Sequence, residues 1–364
     1  MIMTTPIRVL SIDGSAFFHR QLGEILGPRV DISLVGCAND AYDARDQLRS
    51  VPVDVLTLDL ELPRMGGLTF LKLLMEHKPM PVIVLSSEMP TGSQKAVEAL
   101  IAGAVEVIEK PKSPADKLSF GERLIEGIKK AAALPARPRL GSVTRSIFSS
   151  LSLASAFSRN SNFGPRQIIA IGASTGGTQA LEAVLTKLPD NLPGIVVVQH
   201  IPADFSTRFA ARLNDACAME VREAKNGDIV RPGLALIAPG DRHMEIQWIQ
   251  DFYRVLLHDG PKVEHQRPSV DVLFHSLADC AGHHAVAVLL TGMGRDGAAG
   301  MKHLHDLKAQ TLAQDARSSV VYGMARKAVE LKAVDSIVSL EKLADKIIKA
   351  LKNDRNRTTP LSHE

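Results

Sequence analysis

The sequence predicts an α/β protein built from two doubly wound parallel-sheet domains. Three observations predict it. Short β-branched apolar runs alternate with amphipathic segments from the N-terminus to about residue 133. The alternation then breaks for some thirty residues rich in Pro, Ser and Arg, and resumes at Gln167. Strands spaced by helical segments of this length pair in parallel, because each return crossover is long enough to form a helix over the sheet.

In the first half, residues 7–12, 53–58, 81–85 and 104–108 read as strands. Each is a compact run with little polar interruption, as expected of strands covered on both faces. Residues 68–77 and 92–101 read as amphipathic helices, and 117–133 as the closing helix. Residues 134–166 read as a linker, with a weak helical turn at 147–157; its Arg137, Arg139, Arg145, Arg159 and Arg166 face no acid in that stretch. Such a charge run is more often a solvated tether than a nucleic-acid arm.

In the second half, residues 167–171, 194–198 and 285–290 read as buried strands, and 178–188 and 205–213 as helices. Residues 230–257 read as a β-rich insertion with hairpins. The expected domains are 1–133, a linker at 134–166, 167–352, and a polar, frayed tail at 353–364.

Composition bounds the function. The 364 residues are 45% hydrophobic and 23% charged, enough for two cores. A net charge of +3 is too small to argue nucleic-acid binding. Cys37, Cys217 and Cys280 form no C-x-x-C pair, which fits buried thiols in a reducing cytoplasm. Neither a secretory leader nor an apolar run of spanning length is seen, so a protein not embedded in membrane is expected.

Gly172-Ala173-Ser174-Thr175-Gly176-Gly177 fits G-x-S-x-G between a strand and a helix, the setting of a nucleophile elbow. A phosphate-cradling turn is the competing reading, but the Lys-Ser/Thr ending and the G-x-G-x-x-G spacing are both missing. His200 ends the next strand and is a candidate base for Ser174. Asp296, in Thr291-Gly292-Met293-Gly294-Arg295-Asp296-Gly297, follows a third strand and can hold the second imidazole nitrogen. Any one of these has a bland alternative; three strand ends supplying Ser, His and Asp is a far rarer coincidence. Ser269 and Asp271 read as wall or support for the site. His243 reads as a turn residue, either contacting substrate or merely on the surface. His258, His265, His275, His283 and His284 fall in no ligand spacing, so no catalytic metal is expected.

At these motifs, and at Gln199-His200-Ile201-Pro202, residues 238–244 and residues 267–274, the chain resembles the CheB family of protein-glutamate methylesterases. The resemblance covers nearly all of residues 6–350. It implies a triad of Ser174, His200 and Asp296 on a three-layer α/β/α domain, with oxyanion donors at the Thr175 and Met293 N–H groups. It implies hydrolysis of glutamate γ-methyl esters on methylated chemoreceptors, deamidation of certain glutamines, and no cofactor for catalysis. It makes the first half a flavodoxin-type receiver, with Asp59 as phosphoacceptor, Lys110 and Ser86 beside it, and a chemotaxis histidine kinase as phosphodonor. In the family the receiver packs over the triad until it is phosphorylated.

The sequence departs from that pattern at Ile12-Asp13-Gly14-Ser15, where receivers carry two adjacent acids, and at Met65-Gly66-Gly67, where Met-Asp-Gly is common. Asp13 and Asp59 then remain as carboxylates for a weak Mg²⁺ site, and Glu61 is poorly placed to replace the missing acid. Impaired phosphorylation of Asp59 is the expectation. The runner-up function is a signalling adaptor that works by binding.

Overall fold

The computed structural model describes residues 5–87, 94–133, 163–164 and 166–355. The expected helical turn at 147–157 and most of the linker lie outside them. Contacts divide the chain into two units, at Val143/Thr144.

The first unit runs β1 (Ile7–Ile12), α1 (Ala16–Leu26), β2 (Ile32–Ala38), α2 (Ala41–Ser50), β3 (Val55–Asp59), α3 (Gly67–His77), β4 (Val82–Ser86), α4 (Gln94–Ala102), β5 (Glu106–Glu109) and α5 (Lys117–Ala132). Its sheet has the order β2-β1-β3-β4-β5, all parallel. This is the flavodoxin-type winding. The strands β3 and β4 are buried at every position, which is why they read as mostly apolar runs rather than alternating ones. Helix α1 starts where Ser15 Oγ accepts from Phe18 N, and it buries Phe18, Leu22 and Leu26 at four-residue spacing. Those side chains meet Phe120, Leu124 and Ile128 of α5 in one cluster over β1.

The second unit runs β6 (Ile168–Ala173), α6 (Gly177–Leu185), β7 (Ile195–Gln199), α7 (Ala203–Ala216), β8 (Glu220–Glu223), β9 (Ile229–Val230), β10 (Leu234–Ile237), β11 (His243–Ile249), β12 (Phe252–His258), α8 (Val270–Cys280), β13 (Ala285–Leu289), α9 (Ala298–Asp306), β14 (Gln310–Gln314), α10 (Met324–Glu330), β15 (Ser336–Val338) and α11 (Leu340–Arg355). Seven parallel strands take the order β15-β14-β13-β6-β7-β10-β8. Strand β6 comes first in the chain and sits in the middle, so strand order reverses there. A crevice opens beyond the carboxyl ends of strands at such a reversal.

Two boundaries differ from the sequence reading. Only part of the 230–257 stretch is an insertion. Residues 234–237 form β10, a fully buried strand between β7 and β8. The run Leu-Ala-Leu-Ile has no polar alternation because both faces are covered. The true hairpin is β11–β12, joined by β9 in a separate antiparallel sheet, whose Met244, Ile246, Val255 and Leu257 pack with Leu273, Phe274 and Leu277 of α8. The polar tail also begins later than expected, since α11 continues through Arg355 and buries Leu343, Ile347 and Leu351. The three thiols are unpaired but only partly buried.

Candidate active site

Strands β6, β7 and β13 are neighbours, and their carboxyl ends carry the three candidate groups. Ser174 follows β6 directly, and its N–H donates 3.0 Å to Thr291 O beyond β13. The chain turns at once into α6, with Gly177 N donating 2.7 Å to Ser174 O. The turn needs a left-handed residue, and Gly176 supplies it at φ 76°; a Cβ there would also lie 2.5 Å from Val320 Cβ. Ser174 itself is half-buried, so its hydroxyl remains reachable.

Ala173 pairs with Gln199, so Ser174 and His200 leave adjacent strands side by side. His200 N donates 3.1 Å to Ala173 O, and Gln199 Nε2 reaches both Ser174 O (2.9 Å) and His200 O (3.3 Å). The imidazole is 6% exposed, with Nε2 2.7 Å from Asp296 Oδ2. A carboxylate accepts, so Nε2 carries the proton and Nδ1 keeps its lone pair. Nδ1 is buried and has no hydrogen-bond partner among the described residues, which leaves it to take a proton from the serine. The Ser174–His200 bond itself is not made in this structure; such bonds tighten in the substrate complex.

Asp296 is 2% exposed and surrounded by donors. Oδ2 also takes Val270 N at 2.7 Å, while Oδ1 takes Ser269 Oγ at 2.7 Å and Asp271 N at 3.0 Å. Both N–H groups belong to the first turn of α8, which favours negative charge. Burial alone would push this carboxyl up. The hydrogen bond and charge of His200, with the Asp271 N–H and the Ser269 hydroxyl, outweigh it and hold Asp296 below the usual carboxylate range. It therefore stays ionised where the imidazole must become positive.

Ser269 thus supports the site directly, and Asp271 does so through its backbone; its own carboxylate accepts Gly300 N at 2.7 Å. Burial pushes the Asp271 carboxyl up to about 6. His243 is neither a substrate contact nor a surface turn. It opens β11 at 1% exposure, Nε2 bonded to Pro261 O (2.9 Å) and Nδ1 accepting Ser269 N (3.2 Å). The hairpin register against His258 buries it there.

The N–H groups of Thr175 and Met293 donate to no protein acceptor among the described residues. Both lie on loops that close on Ser174. Thr291 Oγ1 ties the loops together, donating 3.0 Å to Thr175 O and accepting Val321 N at 2.9 Å. Gly292 is wedged in: a Cβ would meet Met324 Sδ at 2.1 Å and Ser174 Cβ at 2.7 Å. The glycines of this loop, Gly292 among them, suit a tight turn in the sequence, but the supporting roles of Thr291, Gln199 and Gln314 (whose Oε1 accepts Thr291 N at 2.8 Å) were missed there. Ser269, which reads as support in the sequence, is also the helix-capping residue before Val270.

In the first unit, Asp13 follows β1 and Asp59 ends β3, and both converge on Lys110. Its ammonium donates 2.7 Å to Asp59 Oδ2 and lies 2.6 Å from Asp13 Oδ2, the latter a charge contact out of line for a hydrogen bond. Ser86 is buried at the end of β4. The cleft, about 820 Å³, is lined by these two acids, Gly14, Glu61 and Lys95 among others. Its two buried carboxylates fit a magnesium ion that draws its other ligands from water and a phosphodonor. Among the described residues no third acid joins them, and Glu61 is 3.7 Å from Lys95 instead.

A flavodoxin-type Asp–Lys cleft followed by a seven-stranded parallel sheet with a serine beside a His–Asp couple defines a receiver-bearing serine hydrolase. Comparison with known proteins agrees. Residues 169–347 match the CheB methylesterase family and residues 9–119 the response regulator receiver domain. The chain is 47% identical over 348 residues to protein-glutamate methylesterase/protein-glutamine glutaminase 2 of Syntrophus aciditrophicus, covering 95% of this chain and 99% of that protein. It is 42% identical over 346 residues to the Salmonella typhimurium protein-glutamate methylesterase/protein-glutamine glutaminase, covering 94% and 97%. The solved Thermotoga maritima CheB methylesterase catalytic domain is 35% identical, over 50% of this chain and 97% of that one, with a TM-score of 0.49. The chain belongs to the CheB methylesterase family, and it is a methylesterase with a receiver domain.

Proposed function

We propose that this chain hydrolyses glutamyl γ-methyl esters on chemoreceptors and deamidates receptor glutamines. Ser174 Oγ attacks the γ-carbonyl as His200 Nδ1 takes its proton. The Thr175 and Met293 N–H groups receive the oxyanion. His200 returns the proton to the leaving group, methanol from an ester or ammonia from an amide. Water, deprotonated by the same ring, then cleaves the acyl-serine to free glutamate. One site serves both substrates because both pass through the same acyl-enzyme. The observation that carries this reading is the buried His200–Asp296 couple, with a free Nδ1, on the strand end beside Ser174.

The receiver half takes its phosphoryl group from a histidine kinase onto Asp59, slowly for want of an acid at position 14. The site of action is the cytoplasmic part of the receptors; no helix among the described residues is long and apolar enough to cross a membrane. The test is methanol release from methylated receptor membranes, with and without acetyl phosphate. The native chain should release methanol and Ser174→Ala should not. Equal release by both would overturn the assignment, and leave the adaptor reading in its place.

A further inference from the structure

Away from the triad, helices α8 and α9 each carry a histidine across their shared packing face. His275 Nδ1 and His303 Nδ1 lie 3.1 Å apart, with ring centres 5.4 Å apart. Two imidazole nitrogens approach this closely only when a proton or a metal ion lies between them. A tetrahedral ion with bonds of about 2.1 Å to both nitrogens sets them about 3.4 Å apart, and their ring centres about 5.3 Å. The observed pair is within a few tenths of an ångström of both figures.

The surroundings suit a cation. His275 is exposed and His303 half-buried, so solvent reaches the gap. Asp279 stands one turn further along α8, on the same face as His275; it too is exposed, and its charge acts on the His275 ring. Lys302, next to His303, is turned away onto Asp306 at 2.5 Å.

We propose that His275 and His303 form a surface site for a zinc-class divalent ion. The two Nδ1 atoms are its protein ligands, and water completes the shell. Asp279 supplies a nearby negative charge. Imidazole pairs take borderline ions such as Zn²⁺ and Co²⁺ rather than Mg²⁺ or Ca²⁺. The site is distinct from the triad and plays no part in the chemistry. Its effect is mechanical: α8 begins at the N–H groups that hold Asp296, and α9 begins two residues after Asp296, so an ion between them pins the two helices that flank the carboxylate.

The test is calorimetric titration of the full chain with Zn²⁺, with thermal melting in Zn²⁺ and in EDTA. Binding by the native chain should weaken at least tenfold in His303→Gln and in His275→Gln, and the double variant should be no weaker than either single. Asp279→Asn should weaken it a few-fold. Co²⁺ should give the intense visible absorption of a low-coordinate ion, lost in both histidine variants. Zn²⁺ should raise the melting temperature of the native chain, less that of Asp279→Asn, and not that of either histidine variant, while all chains melt alike in EDTA. Unchanged Zn²⁺ affinity in His303→Gln, or a Zn²⁺-induced rise in melting temperature that survives it, overturns the proposal. Methanol release without Zn²⁺ should be unaffected by these substitutions, so failure here leaves the esterase reading intact.

Discussion

Ser269 Oγ donates a 2.7 Å hydrogen bond to Asp296 Oδ1, on the carboxylate whose other oxygen holds His200. Ser269 is fully buried and also caps α8. Ser269→Ala should lower kcat about ten- to a hundredfold, since a charge-assisted hydrogen bond contributes about 1.5–3 kcal/mol. KM should change little. A kcat equal to that of the native chain would remove Ser269 from the positioning of Asp296.

Asp296→Asn should cost about 10³–10⁴ in kcat, because the amide cannot stabilise the imidazolium and can force the wrong tautomer. Single-turnover methanol release is the measurement. A loss below tenfold would mean that His200 does not depend on this partner.

Gly292→Ala should abolish turnover while the chain still folds. The added methyl meets Met324 Sδ and Ser174 Cβ at closer than contact distance, so the nucleophile or the Met293 loop must shift. Near-native kcat, with a normal melting temperature, would contradict the wedged geometry.

Asp271 gives a pH signature. Its folded-state carboxyl, at about 6, lies above the ordinary 3.8. A raised carboxyl contributes stability that is fully present below about pH 4 and is lost as pH rises through about 6. The difference in unfolding free energy, native chain minus Asp271→Asn, should therefore fall by on the order of 2 kcal/mol from pH 4 to pH 8. A difference that stays flat or rises would show that Asp271 is ionised in the native state well below pH 6.

Gly14→Asp should restore the receiver. A Cβ at Gly14 meets Pro63 Cδ at 3.3 Å, a contact that a small shift relieves. The added carboxylate would give magnesium a third acid beside Asp13 and Asp59. Acetyl phosphate with Mg²⁺ should label Asp59 at least tenfold faster in Gly14→Asp, read by intact mass. Prompt, stoichiometric labelling of the native chain would show that two carboxylates suffice.

The sequence by itself determined the two parallel-sheet domains, because strands buried on both faces must be apolar throughout and crossover helices must be amphipathic. It also marked Ser174, His200 and Asp296, since each ends or follows such a strand, whereas Asp59 and Lys110 were marked by resemblance to receivers. What it did not show was which backbone and side-chain groups face those residues. His243 read as a turn because its partners, Pro261 and the N–H of Ser269, are 18 and 26 positions away. Residues 234–237 read as part of a hairpin because strand order in a sheet is not written locally. Ser269 on Asp296, Gln199 bridging two strand ends, and His275 against His303 arise only when distant segments pack. Periodicity records which face of an element is buried; only the folded chain decides what that face meets.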